Sequence, residues 1–239
     1  FLLLNGAECE PYLSADHRLM LEEGARILEG ARYVARALGS PRVIVGIEAN
    51  KRDAAEALRA LAAPLGIEVQ VLRVKYPQGS EKQLISALTG RKVPSGGLPM
   101  DAGCVVVNVS SAAAIADAVA KGRPVTERVL TVTGAVQTPK NLRVRIGTPA
   151  QELIDLCGGL EPEADRVVSG GPMMGVALYD LTVPVVKGTS GLLALTREQT
   201  APGKLTNCIR CGRCVRGCPI HLLPYELCND FERGDWAAA

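Results

Sequence analysis

The sequence is poor in aromatic residues, in net charge and in long apolar runs. Two Phe, one Trp and five Tyr make up only 3% of the chain, although 47% of its residues are hydrophobic. The core must therefore be built from Val, Leu, Ile and Ala, as in α/β folds. A net charge of +2 over 239 residues is too small to argue for nucleic acid by bulk electrostatics. No apolar run approaches membrane-spanning length. The N-terminus has no charged region ahead of an apolar one, so it does not read as a signal peptide. It begins Phe-Leu-Leu-Leu-Asn, like a buried strand already under way, and the expectation is that residues precede Phe1. The length allows one large domain or two modest ones.

Cysteine, by contrast, is concentrated. Four of the eight fall in Cys208-Ile-Arg-Cys-Gly-Arg-Cys-Val-Arg-Gly-Cys-Pro219. The spacing C-x2-C-x2-C-x3-C-P is that of bacterial ferredoxin-type iron–sulfur sites, and soft thiolates suit iron in a sulfide cluster. Cys208, Cys211 and Cys214 can converge on one cluster through a tight turn that Gly212 permits, and Pro219 directs the chain away. A structural zinc site would use two separated pairs, and four thiols this close cannot easily form unstrained disulfides. In two-cluster ferredoxins the fourth cysteine of such a run serves the other cluster, yet the chain has only one run. Either Cys218 closes the first cluster, with Cys228 as a further candidate, or a second run lies beyond the sequence. Cys9, Cys104, Cys157 and Cys228 read as reduced, buried thiols.

From the N-terminus, an apolar strand ends at Asn5-Gly6 and is followed by Glu8 and Glu10 flanking Cys9. Ligands of open α/β sheets bind at the carboxyl ends of strands; a solvated acidic turn is the competing reading. Ser14 is placed to cap a helix running to about Leu38 and stopped by Gly39, and His17 near its start reads as a surface or packing residue. Strands at Arg42 to Ile47, Ile67 to Val74 and Cys104 to Asn108 alternate with helices at Lys51 to Ala63, Glu81 to Leu88 and Ala112 to Lys121. Ser110 and Ser111 are candidate caps for the last. Gly79 and Ser80 precede a helix N-terminus, where backbone N–H groups favour anions. Strand–helix alternation down to Gly122 predicts a mainly parallel, three-layered sheet.

The pattern changes near Pro124. Strands at Val129 to Val136 and Leu142 to Ile146 form a hairpin. A helix begins at Thr148-Pro149 and runs to about Cys157, and a strand follows at Arg166 to Ser169. Together they suggest a β-grasp unit. Met173 and Met174 beside glycines could cover a flat cofactor or simply fill gaps. Val183 to Val186 and Leu192 to Leu195 read as strands, and Leu222 to Trp236 as helix.

Asn-Gly-Ala-Glu-Cys-Glu-Pro-Tyr at 5–12, Tyr-Pro-Gln-Gly-Ser-Glu-Lys-Gln-Leu-Ile at 76–85, Gly-Gly-Pro-Met-Met-Gly at 170–175, Lys-Gly-Thr-Ser-Gly at 187–191 and the cysteine run resemble the C subunit of the Rnf electron-transport complex. That family is related to the flavoprotein subunit of respiratory complex I. The resemblance implies a Rossmann-like FMN/NADH domain over 1–124. It also implies a β-grasp soluble-ligand-binding domain with return strands over 125–203 and a helical 4Fe–4S ferredoxin-type region over 204–239. It implies FMN, NAD(H) and 4Fe–4S clusters, two in the intact protein. Asn5 and Asn108 match flavin-contacting asparagines, and Glu8 and Glu10 match acidic residues beside the flavin and the nicotinamide nucleotide. Tyr76, Gly79, Ser80 and Glu81 fall on a Tyr-x-x-Gly-Glu-Glu motif in which Ser80 replaces the first Glu. Metal ligation falls to Cys208, Cys211, Cys214 and Cys218. Family members usually read Asn-Val-Gly-Thr where this chain has Asn108-Val-Ser-Ser111. The family's glycine-rich flavin-phosphate loop and its second cysteine run are absent, so the sequence reads as a core fragment, inactive alone.

The function so implied is an electron-input subunit of an ion-translocating NADH:ferredoxin-type oxidoreductase. It would be peripheral on the cytoplasmic side of the inner membrane. Its partners would be the complex's other subunits and an acidic ferredoxin-like carrier, which Arg210, Arg213 and Arg216 could dock; no nucleic-acid partner is expected. The rivals are a soluble flavin/iron–sulfur reductase of the cobalamin-reductase type and a non-enzymatic docking protein with a structural cluster.

Overall fold

A computed structural model describes residues 1–201, 203, 206–218 and 222–237. It divides into two compact units, Phe1–Thr200 and Ala201–Ala239.

The first unit opens with a four-stranded sheet. Strands β1 (Leu2–Gly6), β2 (Val43–Glu48), β3 (Glu68–Leu72) and β4 (Val105–Asn108) stand in the order β3-β2-β1-β4, and every pairing is parallel. The apolar run at β1 is continuous because both faces of the strand are covered. Leu2 and Leu4 enter one core with helices α1 (Ala15–Glu22), α2 (Gly24–Ala37), α3 (Arg52–Ala62) and α5 (Val109–Lys121). Leu3 points the other way, into a core with α4 (Glu81–Thr89). Each of these leucines is fully buried, a stabilisation of about 2 kcal/mol apiece. The three layers expected from the alternating pattern are present.

Two helix readings need correction. The helix expected from Ser14 to Leu38 is two helices that meet at Glu23, whose φ of −129° is not helical. The carboxylate of Glu23 is held by Arg26 and Arg143, which fixes the bend. The helix expected from Ala112 starts earlier, at Val109, and Ser110 and Ser111 lie inside it. Asn108 is the cap, accepting the Ser110 N–H at 2.7 Å. Where α2 crosses α5, Gly30 is required by contact: a Cβ there would lie 1.8 Å from the Ala112 carbonyl oxygen.

A second sheet has the order β6-β5-β9-β7-β8 and is built from β5 (Glu127–Gly134), β6 (Lys140–Arg145), β7 (Ala164–Ser169), β8 (Val176–Leu178) and β9 (Gly191–Thr196). The β5–β6 hairpin is antiparallel and β5 pairs with β9 in parallel. Helix α6 (Ala150–Leu156) packs Leu153 and Ile154 against Leu130, Val132 and Leu192. This is the β-grasp arrangement the hairpin–helix–strand pattern implied. Pro149 holds the cap position expected of Thr148. The strand expected at Val183 to Val186 is only an isolated bridge, Pro184 to Pro149, because that segment passes along the start of α6 and not beside a strand. The short edge strand β8 has no counterpart in the sequence reading; it lies just past a glycine-rich turn. Helix α7 (Arg197–Thr200) ends the unit.

The second unit contains α8 (Arg213–Gly217) and α9 (Pro224–Arg233). Pro224 sits in the first turn of α9 and Gly234 ends it, as Pro and Gly favour. Pro202 and Pro219 lie outside the described residues. All eight cysteines are free thiols, and Cys104 and Cys157 are buried as expected. Cys9 is only half-buried and Cys228 is exposed, since α9 carries it on a helix with no buried residue.

Candidate functional site

In the order β3-β2-β1-β4, the chain's connections reverse direction between β1 and β4, and open α/β sheets bind ligands outside the strand ends at such a point. Asn5 of β1 and Asn108 of β4 are directly paired there. A cleft of about 440 Å³ opens above them, within the range of small-molecule and cofactor sites. All eight residues that sequence reasoning proposed for cofactor binding line it: Asn5, Glu8, Glu10, Tyr76, Gly79, Ser80, Glu81 and Asn108.

The two asparagines fix the floor. Asn5 Nδ2 donates to the Gly79 carbonyl at 2.8 Å, and Asn5 Oδ1 accepts the Ala7 N–H at 3.2 Å. Asn108 Nδ2 donates to Asp16 Oδ2 at 2.8 Å. The loop before α4 is tied down again where the Gly79 N–H meets Cys9 Sγ at 3.3 Å. Ser80 takes the N-cap position of α4, so the rim carries that helix's N-terminus.

Glu8 is held in a left-handed conformation, φ +44°, which side-chain-bearing residues seldom adopt. Its carboxylate accepts the N–H groups of Asp16 at 2.8 Å and His17 at 3.1 Å. It thus caps α1, while Ser14, which the sequence suggested for that task, bonds Asn141 instead. Desolvation, then the charge of Asp16, push the Glu8 carboxyl up to about 7, against the pull of the two N–H groups and Lys51. Burial likewise raises Asp16, opposed by its bond from Asn108. Two neighbouring acids with raised affinity for protons give the cleft a group that can hold or release one near neutral pH.

Glu10 reaches the other wall. Its Oε2 accepts the Met173 N–H at 3.1 Å, and its Oε1 is buried with no hydrogen-bond partner. Such an orphaned acceptor on a cleft wall fits a ligand that brings an N–H or O–H. A Cβ at Gly171 would lie 2.2 Å from Glu10 Oε2, so a side chain there would displace the Glu10 carboxylate. Met174 lines the cleft, and both methionines are exposed, so neither fills a gap in the core.

Sequence reasoning missed Asp16, Lys51 and Arg128. Lys51 is buried, and its amine donates to the carbonyls of Ala7 at 2.8 Å and Glu8 at 3.1 Å and to Asn50 Oδ1 at 3.3 Å. Those three bonds use all three of its N–H groups and clamp the Glu8 loop. Arg128 of β5 donates to Thr189 O at 3.0 Å and Ser110 Oγ at 3.2 Å, and it borders the cleft from the β-grasp side. No local motif marks these residues; their roles come from contacts with segments distant in sequence. His17 pairs with Asp53 at 2.8 Å on the surface, in keeping with its expected role.

In the second unit, Cys208, Cys211 and Cys214 are exposed and Cys218 is half-buried. Gly212 has φ +70° and Arg210 φ +52°, so the run does turn tightly. The Cys208 and Cys218 sulfurs accept backbone N–H groups from Arg210 at 3.4 Å and Leu222 at 3.3 Å. The donor chemistry is that of an iron–sulfur ligand set. Among the described residues, however, no three Cys, His, Asp or Glu side chains gather as a metal-holding group.

Residues 1–117 match the Nuo51 FMN-binding domain, and residues 129–177 match the SLBB domain. The chain is 49% identical over 237 residues to the C subunit of the Na(+)-translocating ferredoxin:NAD(+) oxidoreductase complex of Acetobacterium woodii, covering 98% of this chain and 54% of that protein. It is 50% identical over 226 residues to the proton-translocating counterpart of Clostridium ljungdahlii, covering 94% and 50%. It is 48% identical over 241 residues to the C subunit of the ion-translocating oxidoreductase complex of Rhodobacter capsulatus, covering 100% and 46%. The chain thus spans about half the length of these curated relatives. Among solved structures it is similar in fold to a chain of an air-oxidised NAD+-reducing [NiFe]-hydrogenase, with a TM-score of 0.67 at 19% identity, covering 83% of this chain and 40% of that one. The chain is a homologue of the C subunits of the ion-translocating oxidoreductase complexes, and it carries the Nuo51 FMN-binding and SLBB domains.

Proposed function

We propose that the chain is the electron-input part of a membrane-associated NADH:ferredoxin-type oxidoreductase complex. In this reading it passes electrons between NAD(H), FMN and 4Fe–4S clusters, coupled to ion transport. The FMN/NADH domain is assigned to 1–124, the β-grasp domain with its return strands to 125–203 and the iron–sulfur region to 204–239. The observation that carries the reading is the gathering of all eight proposed cofactor residues in one cleft, beside the unpartnered Glu10 oxygen.

FMN, when bound, supplies exchange of an electron pair with a nicotinamide and of single electrons with other carriers. The protein's part is placement and proton control. Asn5 and Asn108 set the floor, Gly79, Ser80 and Glu81 form the rim with Tyr76, and Glu10 offers its unpartnered oxygen. Glu8 holds a proton near neutrality, within a loop that Lys51 keeps in place. Cys208, Cys211, Cys214 and Cys218 are the proposed cluster ligands. Arg210, Arg213 and Arg216 lie among them and offer positive charge to an acidic ferredoxin-like partner. No helix among the described residues is long and apolar enough to cross a membrane; the place proposed for the chain is peripheral on the membrane subunits, at the cytoplasmic face.

Glu8→Gln tests the assignment. In the cofactor-loaded protein it should slow NADH-driven flavin reduction by at least about tenfold, below the usual worth of a positioned acid or base. Iron content should not change. Unaltered reduction kinetics would remove Glu8 from the site.

A further inference from the structure

A second cleft lies against α5 and the β5–β6 hairpin, separated from the first by Arg128 and Val129, which line both. It encloses about 360 Å³, again within the range of small-molecule sites. Part of its wall is apolar: Leu19, Ile115, Val125 and Val129. Four cationic side chains border it, Arg26, Arg128, Arg143 and Lys187, against a single lining carboxylate, Glu127.

Most of these charges have partners. Arg26 Nη1 lies 2.6 Å from Glu23 and 3.6 Å from Asp117, and Arg143 also meets Glu23. Arg128 is held by Thr189 O and Ser110 Oγ. Donors nevertheless remain in excess. Arg26 Nε and Glu23 Oε2 are both buried without a hydrogen-bond partner, but they belong to one ion pair, so neither is a spare group for a ligand. Among the described residues, neither the Lys187 ammonium nor the Ser111 hydroxyl has a hydrogen-bond partner. Arg128 bonds only neutral oxygens and, among the described residues, Lys187 has no carboxylate partner, so their positive charges beside an apolar hollow favour an anionic acceptor with an apolar body. The available donors come from separate segments: β5, the first turn of α5 and the loop at 187–191. A tetrahedral group with oxygens on several sides meets that distribution better than a planar carboxylate does.

We propose that this cleft binds a small organic phosphate, in a site distinct from the flavin cleft. Nothing in the electron-input reading requires such a site, although Lys187 opens one of the motifs by which the sequence resembles its relatives.

Phenyl phosphate, which joins the two chemistries, is the probe. It is titrated by calorimetry into the 239-residue chain, with and without excess FMN. The expected result is saturable one-to-one binding that FMN does not displace and that weakens as salt is raised. Lys187→Gln, at an exposed position whose change does not threaten folding, should weaken it by about tenfold or more, the loss of one charge-assisted bond. Ser111→Ala should weaken it by less. The proposal is overturned by absence of saturable binding, by equal affinity in Lys187→Gln, or by competition from FMN, which would place the probe in the flavin cleft.

Discussion

Residues 1–200 contain three clusters of buried apolar side chains, whereas among the described residues of 201–239 no side chain is fully buried. The two regions therefore hold their proposed ligands by different means. In the first, packing fixes the positions: β1 and β4 bring Asn5 beside Asn108, and a buried lysine clamps the loop that carries Glu8. In the second, the four cysteines share a sequence spacing and two left-handed turns but have no core beneath them. A segment of that size usually needs a metal, a disulfide or a partner to fold, and metal binding then supplies folding free energy. On the proposed reading the cleft is formed before its ligand binds, and the cysteine run takes its final form with iron and sulfide.

Substitutions can break this contrast from either side. The largest effect belongs to Cys211→Ala. It should abolish incorporation of iron and sulfide, counted chemically after anaerobic reconstitution, and leave the thermal unfolding of 1–200 unchanged. If the melting of 1–200 fell with it, the two regions would not be independent. Lys51→Met should destabilise the first region by about 4 kcal/mol in denaturant unfolding, because it leaves Glu48 without its cation, 3.9 Å away, and two carbonyls without a donor. The iron count should stay at the wild-type value. Gly30→Ala should cost about 3 kcal/mol through the clash of α2 with α5, again without effect on iron.

The pH dependence sharpens the contrast further. Glu8 has its pKa raised from 4.5 to about 7 in the folded protein. Between those values the folded chain keeps a proton that the unfolded chain has lost. This contribution is full below about pH 4.5, falls as pH rises toward 7 and is flat above it. It amounts to up to about 3 kcal/mol. Glu8→Gln should flatten this part of the stability profile, measured by urea unfolding between about pH 5 and pH 8. A slope that persists in the variant would assign it to another group.

The sequence was most legible where one local feature decides the outcome. Strand–helix alternation foretold the parallel sheet because each apolar run is buried by its own neighbours. Of the cleft's residues, Glu8, Glu10, Gly79 and Ser80 stood out at a strand end and before α4, whereas Asn5, Asn108, Tyr76 and Glu81 came from the resemblance to relatives. The break between α1 and α2 was not legible, because it depends on Arg143, 120 positions from Glu23. Capping of α1 by Glu8 was missed for a related reason: Ser14 stands in the usual place, but its hydroxyl turns to Asn141. Lys51 reads in the sequence as an ordinary start of an Ala-rich helix; only the fold turns its amine inward. The cysteine spacing states a ligand chemistry and leaves the positions of the sulfurs open.

Hydrogen exchange of this one chain under three conditions, alone, with FMN, and after anaerobic reconstitution with iron and sulfide, separates a preformed cleft from a ligand-formed cysteine run. A crossed pattern is expected. FMN should add protection at residues 5–10, 76–81 and 108–110, in a region already slow to exchange. Iron and sulfide should add protection at 208–218 and 224–234. A cysteine run fully protected without iron, or cleft segments left unchanged by FMN, would contradict that division.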